Sequence, residues 1–290
     1  EGPETVLEVN NIFHQSMASP KDKEYFYEWP YTVFKDSFDD VLILGAGSGT
    51  DVAAALAHGA KRVDAVEIDP AILRLGQEHH PSRPYWDDRV HVTCDDARHF
   101  LRTSERKYDL VVFALIDSLT VQSSFSSVRL ESYMFTEESF RAVRERLKPN
   151  GLLVVYNYFR EPWLVDRLAG LAAAAFGTEP KVHVHERSAW LGVMMAGPRA
   201  DALTAYPPIP DRVGAYGHEE ASSPGRVRER DRSVVPSTDD WPFLYMHHPH
   251  LPGHYLAVVG LVLLASVLAV LFVLRGNEGT WSWNFFFLGA

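Results

Sequence analysis

Three glycines between an apolar run and an Ala-rich run are the residues best placed to bind a ligand. Gly45, Gly47 and Gly49 follow the strand-forming residues 41–44 and precede a helix-forming stretch that reaches Leu56. Such a turn exposes bare backbone, and the helix that follows offers unpaired N–H groups to a polar or anionic ligand. The spacing is G-x-G-x-G, unlike the G-x-G-x-x-G of dinucleotide sites, and no Gly-Lys-Ser/Thr of a phosphate-binding loop follows. It favours S-adenosylmethionine over NAD or ATP, the alternative being a tight turn without a ligand.

An acidic residue follows at the distance expected for ribose recognition. Residues 62–68 form a second apolar strand candidate that ends in Glu67 and Ile68, and Glu67 lies 22 positions after Gly45. A carboxylate about 20 residues after the glycine turn, at the end of the second strand, can accept hydrogen bonds from both ribose hydroxyls. Turn and acid together favour a nucleoside site over a solvated carboxylate at a strand end.

The elements around the turn alternate between strands and helices. Strand candidates are 41–44, 62–68, 90–93, 110–115, 152–156, 181–186 and 190–196, and helix candidates are 71–78, 97–102, 137–147 and 163–176. This alternation predicts a parallel sheet covered on both faces, an α/β fold with a doubly wound, Rossmann-like sheet of the methyltransferase type. Residues 4–16 add a short N-terminal β-hairpin with Asn10 and Asn11 at its turn, and Pro149 to Gly151 are expected to stop the helix 137–147.

The net charge and the cysteine count limit the kinds of binding partner and the redox state of the compartment. The chain has 290 residues and a net charge of −10, which disfavours a nucleic-acid backbone as the main partner. Cys94 is the only cysteine, so an intramolecular disulfide and a cysteine-based zinc site are excluded. A single cysteine also fits a reducing compartment.

An uncharged run near the end of the chain predicts a membrane span. Residues 255–274 carry no charge and are closed by Arg275. At about 1.5 Å per residue this run crosses the roughly 30 Å hydrocarbon core of a bilayer, whereas a buried core helix of that length rarely lacks a polar position. Residues 284–290 would begin a second, truncated span. With no initiator Met and an apolar end, we expect a fragment of a longer protein.

The predicted organisation has five parts. They are a hairpin and aromatic segment at 1–35, the nucleoside-binding domain at 36–197, a Pro/Arg-rich linker and juxtamembrane loop at 198–254, a transmembrane helix at 255–275 and the truncated span. The linker is expected to be partly extended, with arginines at 226–232 that face anionic lipid or water. Four histidines at 247–254 suggest either metal binding or, as we favour, a water-facing loop.

Several segments, taken in order, resemble spermidine synthases and their membrane-embedded bacterial relatives over residues 5 to about 195. The matching segments are LEVNNIFHQ (7–15), FYEW (26–29), LGAGSG (44–49), VEID (66–69), DDARHFL (95–101), YDLVVFALID (108–117) and ESYMFTEESF (131–140). The stretch Thr-Asp-Asp-Trp-Pro-Phe before the apolar run resembles multi-pass bacterial proteins that carry such a domain. The resemblance implies attachment to the bacterial inner membrane, and we expect the domain to face the cytoplasm, where the cofactor is made.

The resemblance also implies roles for individual residues. Donor binding would involve Gln15 at the sulfonium nucleoside, Glu67 with Ile68 at the ribose, and Asp96 with Ala97 at the adenine. The donor would be S-adenosylmethionine or its decarboxylated form, and the acceptor a small amine. Asp117 would stand in the active centre.

Two departures from the family pattern concern the amine-binding carboxylates. Ser48 stands where spermidine synthases have the aspartate that holds the amine of the decarboxylated donor, and Ala114 replaces the first aspartate of a D-x-x-D pair whose second is Asp117. A buried ammonium without a carboxylate partner costs several kcal/mol. Either Asp51, Glu28 or Asp117 substitutes, or the amine is not bound.

Three functions remain open at the level of sequence. The first is an aminopropyltransferase-like enzyme in which Asp117, with Tyr27 from the aromatic cluster 25–31, deprotonates the acceptor; that cluster is otherwise expected to be core. The second is a methyltransferase, which Ser48 favours, and the third is a non-catalytic module that regulates the membrane helices. The alternative to a catalytic role is that Asp117 only caps the turn that follows it. A homo-oligomer is compatible with all three.

Overall fold

The computed structural model describes residues 5–9, 11–34, 38–116, 130–210, 225–247 and 253–275. The chain forms two compact units, residues 1–247 and residues 248–290. The first unit holds the glycine turn and all the predicted site residues.

The first unit contains a two-stranded sheet and an eight-stranded sheet among its described residues. The strands are β1 (Thr5–Val9), β2 (Ile12–Met17), β3 (Asp40–Leu44), β4 (Arg62–Glu67), β5 (Val90–Cys94), β6 (Tyr108–Ala114), β7 (Leu147–Tyr158), β8 (Lys181–His185), β9 (Leu191–Ala196) and β10 (Arg226–Val227). The helices are α1 (Trp29–Val33), α2 (Thr50–Ala57), α3 (Pro70–His79), α4 (Ala97–Thr103), α5 (Glu137–Arg146), α6 (Pro162–Phe176) and α7 (Pro198–Asp201). Short 3-10 helices lie at Pro20–Asp22, Tyr25–Tyr27, Pro84–Trp86 and Leu130–Phe135.

The large sheet has the order β10-β8-β9-β7-β6-β3-β4-β5, and β3 to β7 are parallel to one another. The predicted Rossmann-like fold is confirmed. The expectation of parallel pairing is wrong for the last strands, because β9 pairs antiparallel with both β7 and β8, and β10 pairs antiparallel with β8. The five residues between β8 and β9 are too few for a parallel crossover, which needs a dozen or more.

Two apolar layers cover the two faces of the sheet. One face packs against α5 and α6 through residues such as Phe140, Val143 and Leu168. The other packs against α2 and the aromatic segment through Phe26, Trp29 and Val52. The runs of Val, Ile and Leu in β3 and β6 are buried throughout because both faces are covered.

The predicted hairpin and helices form with small shifts. β1 and β2 pair antiparallel, and Asn11 in their turn has φ 60°, a left-handed conformation that Asn tolerates. Helix α5 begins after its N-cap Thr136, whose hydroxyl accepts from Ser139 N, and it ends at Arg146. This is one residue before the predicted end at 147, and residues 149–151, which were expected to stop the helix, lie in β7.

Residues 225–247 pack against the sheet domain, which differs from the partly extended linker predicted there. Arg228 makes a bidentate ion pair with the buried Asp166 of α6 (2.9 and 2.5 Å). Arg230 and Arg232 both contact Glu179, and Arg226 contacts Glu186. Each of these arginines therefore contacts a carboxylate of the protein. A polar, Pro-rich composition indicates a lack of regular structure, and it says nothing about tertiary contacts.

Arg167 of α6 anchors the end of this stretch. Its guanidinium is fully buried and donates to the carbonyls of Val235, Phe243, Leu244 and His247. Its charged carbon also lies 4.9 Å from the ring centroid of Trp163 and 5.1 Å from that of Trp241. Burial lowers the pKa of Arg167 to about 10. The first unit thus extends to residue 247, beyond the predicted domain boundary at 197.

The second unit contains helix α8 (Gly253–Arg275). Residues Gly253–Phe272 have a mean hydropathy of 2.8 and are exposed, so α8 is long and apolar enough to cross a membrane. It is the single such helix among the described residues, which does not support the multi-pass expectation. The predicted second span at 284–290 lies outside the described residues.

Candidate functional site

The glycine turn lies at the carboxyl end of β3 with all three glycines at positive φ. The angles are 75° at Gly45, 55° at Gly47 and 107° at Gly49, which L side chains rarely adopt. The N–H groups of Gly45 and Ala46 both donate to the carbonyl of Val66 at 2.9 Å, which ties the turn to β4. Gly49 precedes the first turn of α2. The predicted strand, turn and helix N-terminus are therefore all present.

Glu67 joins the end of β4 to this turn. Its Oε2 accepts from the N–H of Gly47 and its Oε1 accepts from the N–H of Asp69, both at 2.9 Å. The residue is 8% exposed. Because a carboxylate offers about four lone-pair sites, two backbone bonds leave capacity for ligand hydroxyls. The ribose role of Glu67 stays a prediction, and the carboxylate has a structural role beside it that sequence reasoning did not include.

Gln15 reaches the turn from the hairpin. Its Oε1 accepts from the hydroxyl of Ser48 at 2.9 Å and from the Ser48 N–H at 3.2 Å. A Cβ at Gly47 would lie 2.9 Å from the same oxygen, so only glycine leaves room for this approach. The structure brings Gln15 to the predicted nucleoside site, although it lies 32 positions before Gly47 in the chain.

The ends of β4 and β5 place the other predicted donor residues at the same sheet edge. Glu67 pairs with Cys94 in the parallel register, so Asp96 and Ala97 follow directly beside it. Asp96 is the N-cap of α4 and accepts from His99 N at 2.9 Å. Ile68 is 52% exposed, which leaves an apolar side chain next to Glu67 that a flat ring can cover. Their predicted contacts with adenine and ribose stay predictions.

Asp117 falls just beyond the end of β6 and outside the described residues. β6 ends at Ala114, and its neighbour β3 ends at the glycine turn, with Leu44 opposite Phe113. Leu115 has φ 49°, and the side chain of Ile116 lies 2.9 Å from the position of a Cβ at Gly45. The chain thus leaves β6 beside the glycine turn, and the catalytic role of Asp117 stays a prediction.

The aromatic cluster 25–31 belongs mainly to the core, as the sequence favours. Phe26 is fully buried, and its ring centroid lies 4.8 Å from that of Tyr27 and 4.4 Å from that of Tyr156. Burial and then the neighbouring Asp51 raise the pKa of Tyr27 well above its usual value. A phenol of that kind stays neutral at physiological pH and can donate a hydrogen bond. The catalytic role of Tyr27 stays a prediction.

Asp51 is a buried carboxyl in the first turn of α2. It is 8% exposed and accepts a hydrogen bond from the hydroxyl of Tyr156 on β7. Burial raises the pKa of Asp51 to about 7, against the opposing effect of the Tyr156 hydrogen bond. Glu28, another proposed substitute, is partly exposed, and its Oε1 lies 3.5 Å from Nε2 of His58.

Tyr85 is a residue of this site that sequence reasoning missed. Its hydroxyl donates to the carbonyl of Gly47 at 2.7 Å and lies 3.2 Å from that of Ala46. The ring lies against Gly49, where an added Cβ would be 3.3 Å from Tyr85 Cε2. Tyr85 is in a 3-10 helix, 38 residues after Gly47, and its sequence neighbourhood carries no signal that would have singled it out.

Among the described residues, no group of three His, Cys, Asp or Glu side chains is arranged to hold a metal ion. Of the histidines at 247–254, His248 and His250 lie outside these residues. His247 packs against Trp163, with ring centroids 5.0 Å apart.

Comparisons with known proteins agree with this geometry. The spermine/spermidine synthase domain family matches residues 24–172. Polyamine aminopropyltransferase 2 of Streptomyces coelicolor is 34% identical over 186 residues, which cover 59% of this chain and 31% of that protein. The polyamine aminopropyltransferase of Korarchaeum cryptofilum is 28% identical over 152 residues, 50% of this chain and 44% of that protein. The chain thus spans less than half the length of these two relatives.

The solved structures show the same fold. A crystal structure of spermidine synthase in complex with the transition state analogue AdoDATO aligns with a TM-score of 0.55 at 17% identity, covering 75% of this chain and 77% of the other. A probable spermidine synthase from Corynebacterium glutamicum aligns with a TM-score of 0.57 at 15% identity, covering 81% and 88%. Since the family match spans more than half of the residues and the glycine turn, Glu67 and Asp96 lie within it, the chain belongs to the spermine/spermidine synthase domain family.

Proposed function

We propose that the first unit transfers an alkyl group from a sulfonium nucleoside to a small amine, with decarboxylated S-adenosylmethionine as the donor of an aminopropyl group. The observation that carries the proposal is the closure of Gln15 and Glu67 on the glycine turn, within a chain of this family. These residues surround the carboxyl ends of β3 and β4, where open α/β sheets bind nucleosides. The amine acceptor follows from the names of the aminopropyltransferase relatives.

The chemistry requires little from the protein beyond orientation and one base. The amine nitrogen forms a bond to the carbon next to the sulfonium, the C–S bond breaks, and its electron pair stays on sulfur. Because the resulting thioether leaves without a proton, the one proton to be removed is that of the amine. Asp117 is the proposed base, and the glycine turn with Glu67 would fix the direction of the C–S bond.

Product analysis tests the reaction. The full chain in detergent is incubated with 1,4-diaminobutane and either decarboxylated S-adenosylmethionine or S-adenosylmethionine, and the nucleoside products are separated by mass spectrometry. Methylthioadenosine together with an aminopropylated amine is the expected outcome with the decarboxylated donor. If no product forms from that donor while it binds normally, the proposal is wrong. A non-catalytic nucleoside module remains if S-adenosylmethionine also gives no product.

One observation favours methyl transfer as a second candidate. Ser48 is buried and its hydroxyl donates to Gln15, so this position contributes no negative charge to hold a donor ammonium. An intact donor carries a carboxylate beside its ammonium, which would meet no aspartate at this position. S-adenosylhomocysteine in the same assay would select this alternative.

We propose further that α8 anchors the protein in a bilayer, with the first unit on the cytoplasmic side. The support is the length, hydropathy and exposure of Gly253–Phe272. The full chain should float with phospholipid vesicles in a density gradient, whereas a chain that ends at His247 should stay at the bottom. Protease in right-side-out vesicles should cleave the first unit only after lysis. A full chain that is monodisperse without detergent would refute the anchor, and cleavage before lysis would refute the orientation.

A further inference from the structure

We propose that Asp51 binds a primary ammonium group of a substrate, an inference that rests on the proposed function and assigns a residue to amine recognition. The first argument is position. Asp51 lies two residues after Gly49, in the first turn of the helix that the glycine turn opens. Asp51 therefore belongs to the same turn and helix as the proposed nucleoside site.

The second argument is charge balance. Among the described residues, Asp51 forms no ion pair within 4.0 Å, and its side-chain hydrogen bond comes from the neutral hydroxyl of Tyr156. The cation that affects it is Lys23, whose Nζ instead donates to Ser16 Oγ at 2.7 Å and lies 3.6 Å from Glu24 Oε2. Buried carboxylates are normally paired with a cation, so this position lacks one.

The third argument is the chemistry of the surrounding groups. Besides Lys23, the described titratable side chains that interact with Asp51 are four tyrosines. They are Tyr27 in the 3-10 helix Tyr25–Tyr27, Tyr31 in α1, Tyr85 in the 3-10 helix Pro84–Trp86 and Tyr156 in β7. Four phenols and one carboxyl form an environment that suits an alkylammonium group, because aromatic rings attract cations and the carboxyl supplies the opposite charge. An anionic or apolar ligand would gain nothing from the carboxyl.

The protonation state of Asp51 in the empty site follows from the same environment. With a pKa of about 7, the carboxyl is about half protonated at neutral pH. An arriving ammonium ion favours the charged carboxylate and expels the proton. Ammonium binding should then tighten from pH 6 to pH 8 and release about half a proton at pH 7.

Calorimetry on the full chain in detergent tests the assignment with three probes. Methylthioadenosine has the nucleoside without an ammonium, decarboxylated S-adenosylmethionine carries an ammonium on the donor, and 1,4-diaminobutane represents the acceptor. The variants are Asp51→Asn and, as a matched control, Asp39→Asn, an exposed carboxyl that pairs with Lys61 at 2.8 Å. Asp51→Asn should weaken at least one ammonium probe about tenfold or more and leave methylthioadenosine within about twofold.

The pattern identifies which amine is held. A weaker donor with an unchanged diamine assigns Asp51 to the donor, and the reverse assigns it to the acceptor. Unchanged affinities for both ammonium probes in a folded Asp51→Asn variant would overturn the proposal. Asp39→Asn should change none of them.

A measurement on the unaltered chain covers the case in which Asp51→Asn does not fold. Binding heats in two buffers of different ionisation enthalpy give the number of protons released. Release with an ammonium probe and none with methylthioadenosine supports the site, and no release with either ammonium probe overturns it. If methylthioadenosine is produced but Asp51→Asn binds both ammonium probes normally, this inference fails and the proposed reaction stands. If ammonium binding depends on Asp51 but no product forms, the Asp51 inference stands and the proposed reaction fails.

Discussion

Replacement of Glu67 by Gln is the sharpest test of the nucleoside site. In the structure the two carboxylate oxygens accept from the N–H groups of Gly47 and Asp69. Glutamine has the same shape but only one oxygen, so its amide NH₂ must face one of these backbone donors. The substitution therefore removes one backbone hydrogen bond, the negative charge and part of the capacity to accept from ribose.

The structure sets the size of two separate effects. A hydrogen bond to a charged group contributes about 1.5–3 kcal/mol, so the free energy of unfolding should fall by about that amount. Loss of a charge-assisted bond to a ribose hydroxyl should weaken nucleoside binding by a similar free energy, about tenfold to a hundredfold in Kd. Glu67→Ala should have at least as large an effect on binding.

A thermodynamic cycle with two ligands and two proteins distinguishes loss of a direct contact to ribose from a disturbed glycine turn. Binding of methylthioadenosine and of its 2′-deoxy analogue is measured by calorimetry for both proteins. If Glu67 accepts a hydrogen bond from the 2′-hydroxyl, removal of that hydroxyl from the ligand should cost less binding free energy in Glu67→Gln than in the unaltered protein. An equal penalty in both proteins would refute the ribose assignment.

The control is Asp69→Ala, two residues along the chain. Asp69 caps α3 by accepting from Ala71 N at 2.7 Å, and its own N–H to Glu67 survives the substitution. It should cost about 1 kcal/mol of stability without a change in nucleoside affinity.

Three further predictions concern the turn, the C-terminal stretch and the buried carboxyl. Gly47→Val should abolish nucleoside binding while the far-UV circular dichroism stays normal, because φ is 55° and a Cβ would lie 2.9 Å from Gln15 Oε1; calorimetry with retained affinity would contradict this. Arg167→Met should lower the free energy of unfolding by about 3–5 kcal/mol, since four carbonyls lose their donor, and a chain cut at residue 236 should unfold at lower temperature than one cut at 247. Asp51 has a folded pKa of about 7 above the model-compound value of 3.8, so the folded chain binds the extra proton between these values and stability falls as pH rises through them. Asp51→Asn should therefore raise Tm at pH 8 and have little effect at pH 4, and a lower Tm at pH 8 would point to a purely structural hydrogen bond.

The site itself was only partly predictable. The glycine turn and Glu67 could be found because their spacing is local to one strand-turn-helix-strand unit. The hydrogen bonds of Glu67 to the turn, the Tyr85 hydroxyl over Gly47 and the Tyr156 hydroxyl on Asp51 could not, since each joins residues 20 or more positions apart. The same is true of Gln15, for which only a family resemblance indicated a role.

The sequence by itself determined the order and type of the elements from β3 to β9. Apolar runs, glycines and helix caps act over a few residues, so their effect on the backbone can be predicted from the sequence. It also determined the length and apolar character of α8.

Only the tertiary structure decided the pairing directions of β8 to β10 and the packing of residues 225–247. β10 forms because β8 offers a free edge, and the 235–247 stretch is ordered by the buried guanidinium of Arg167 and not by any periodicity of its own. The charge of Asp51 is decided in the same way. A carboxyl in the first turn of a helix is ordinarily ionised, and the tyrosine rings that desolvate it come from distant segments that meet only in the folded chain.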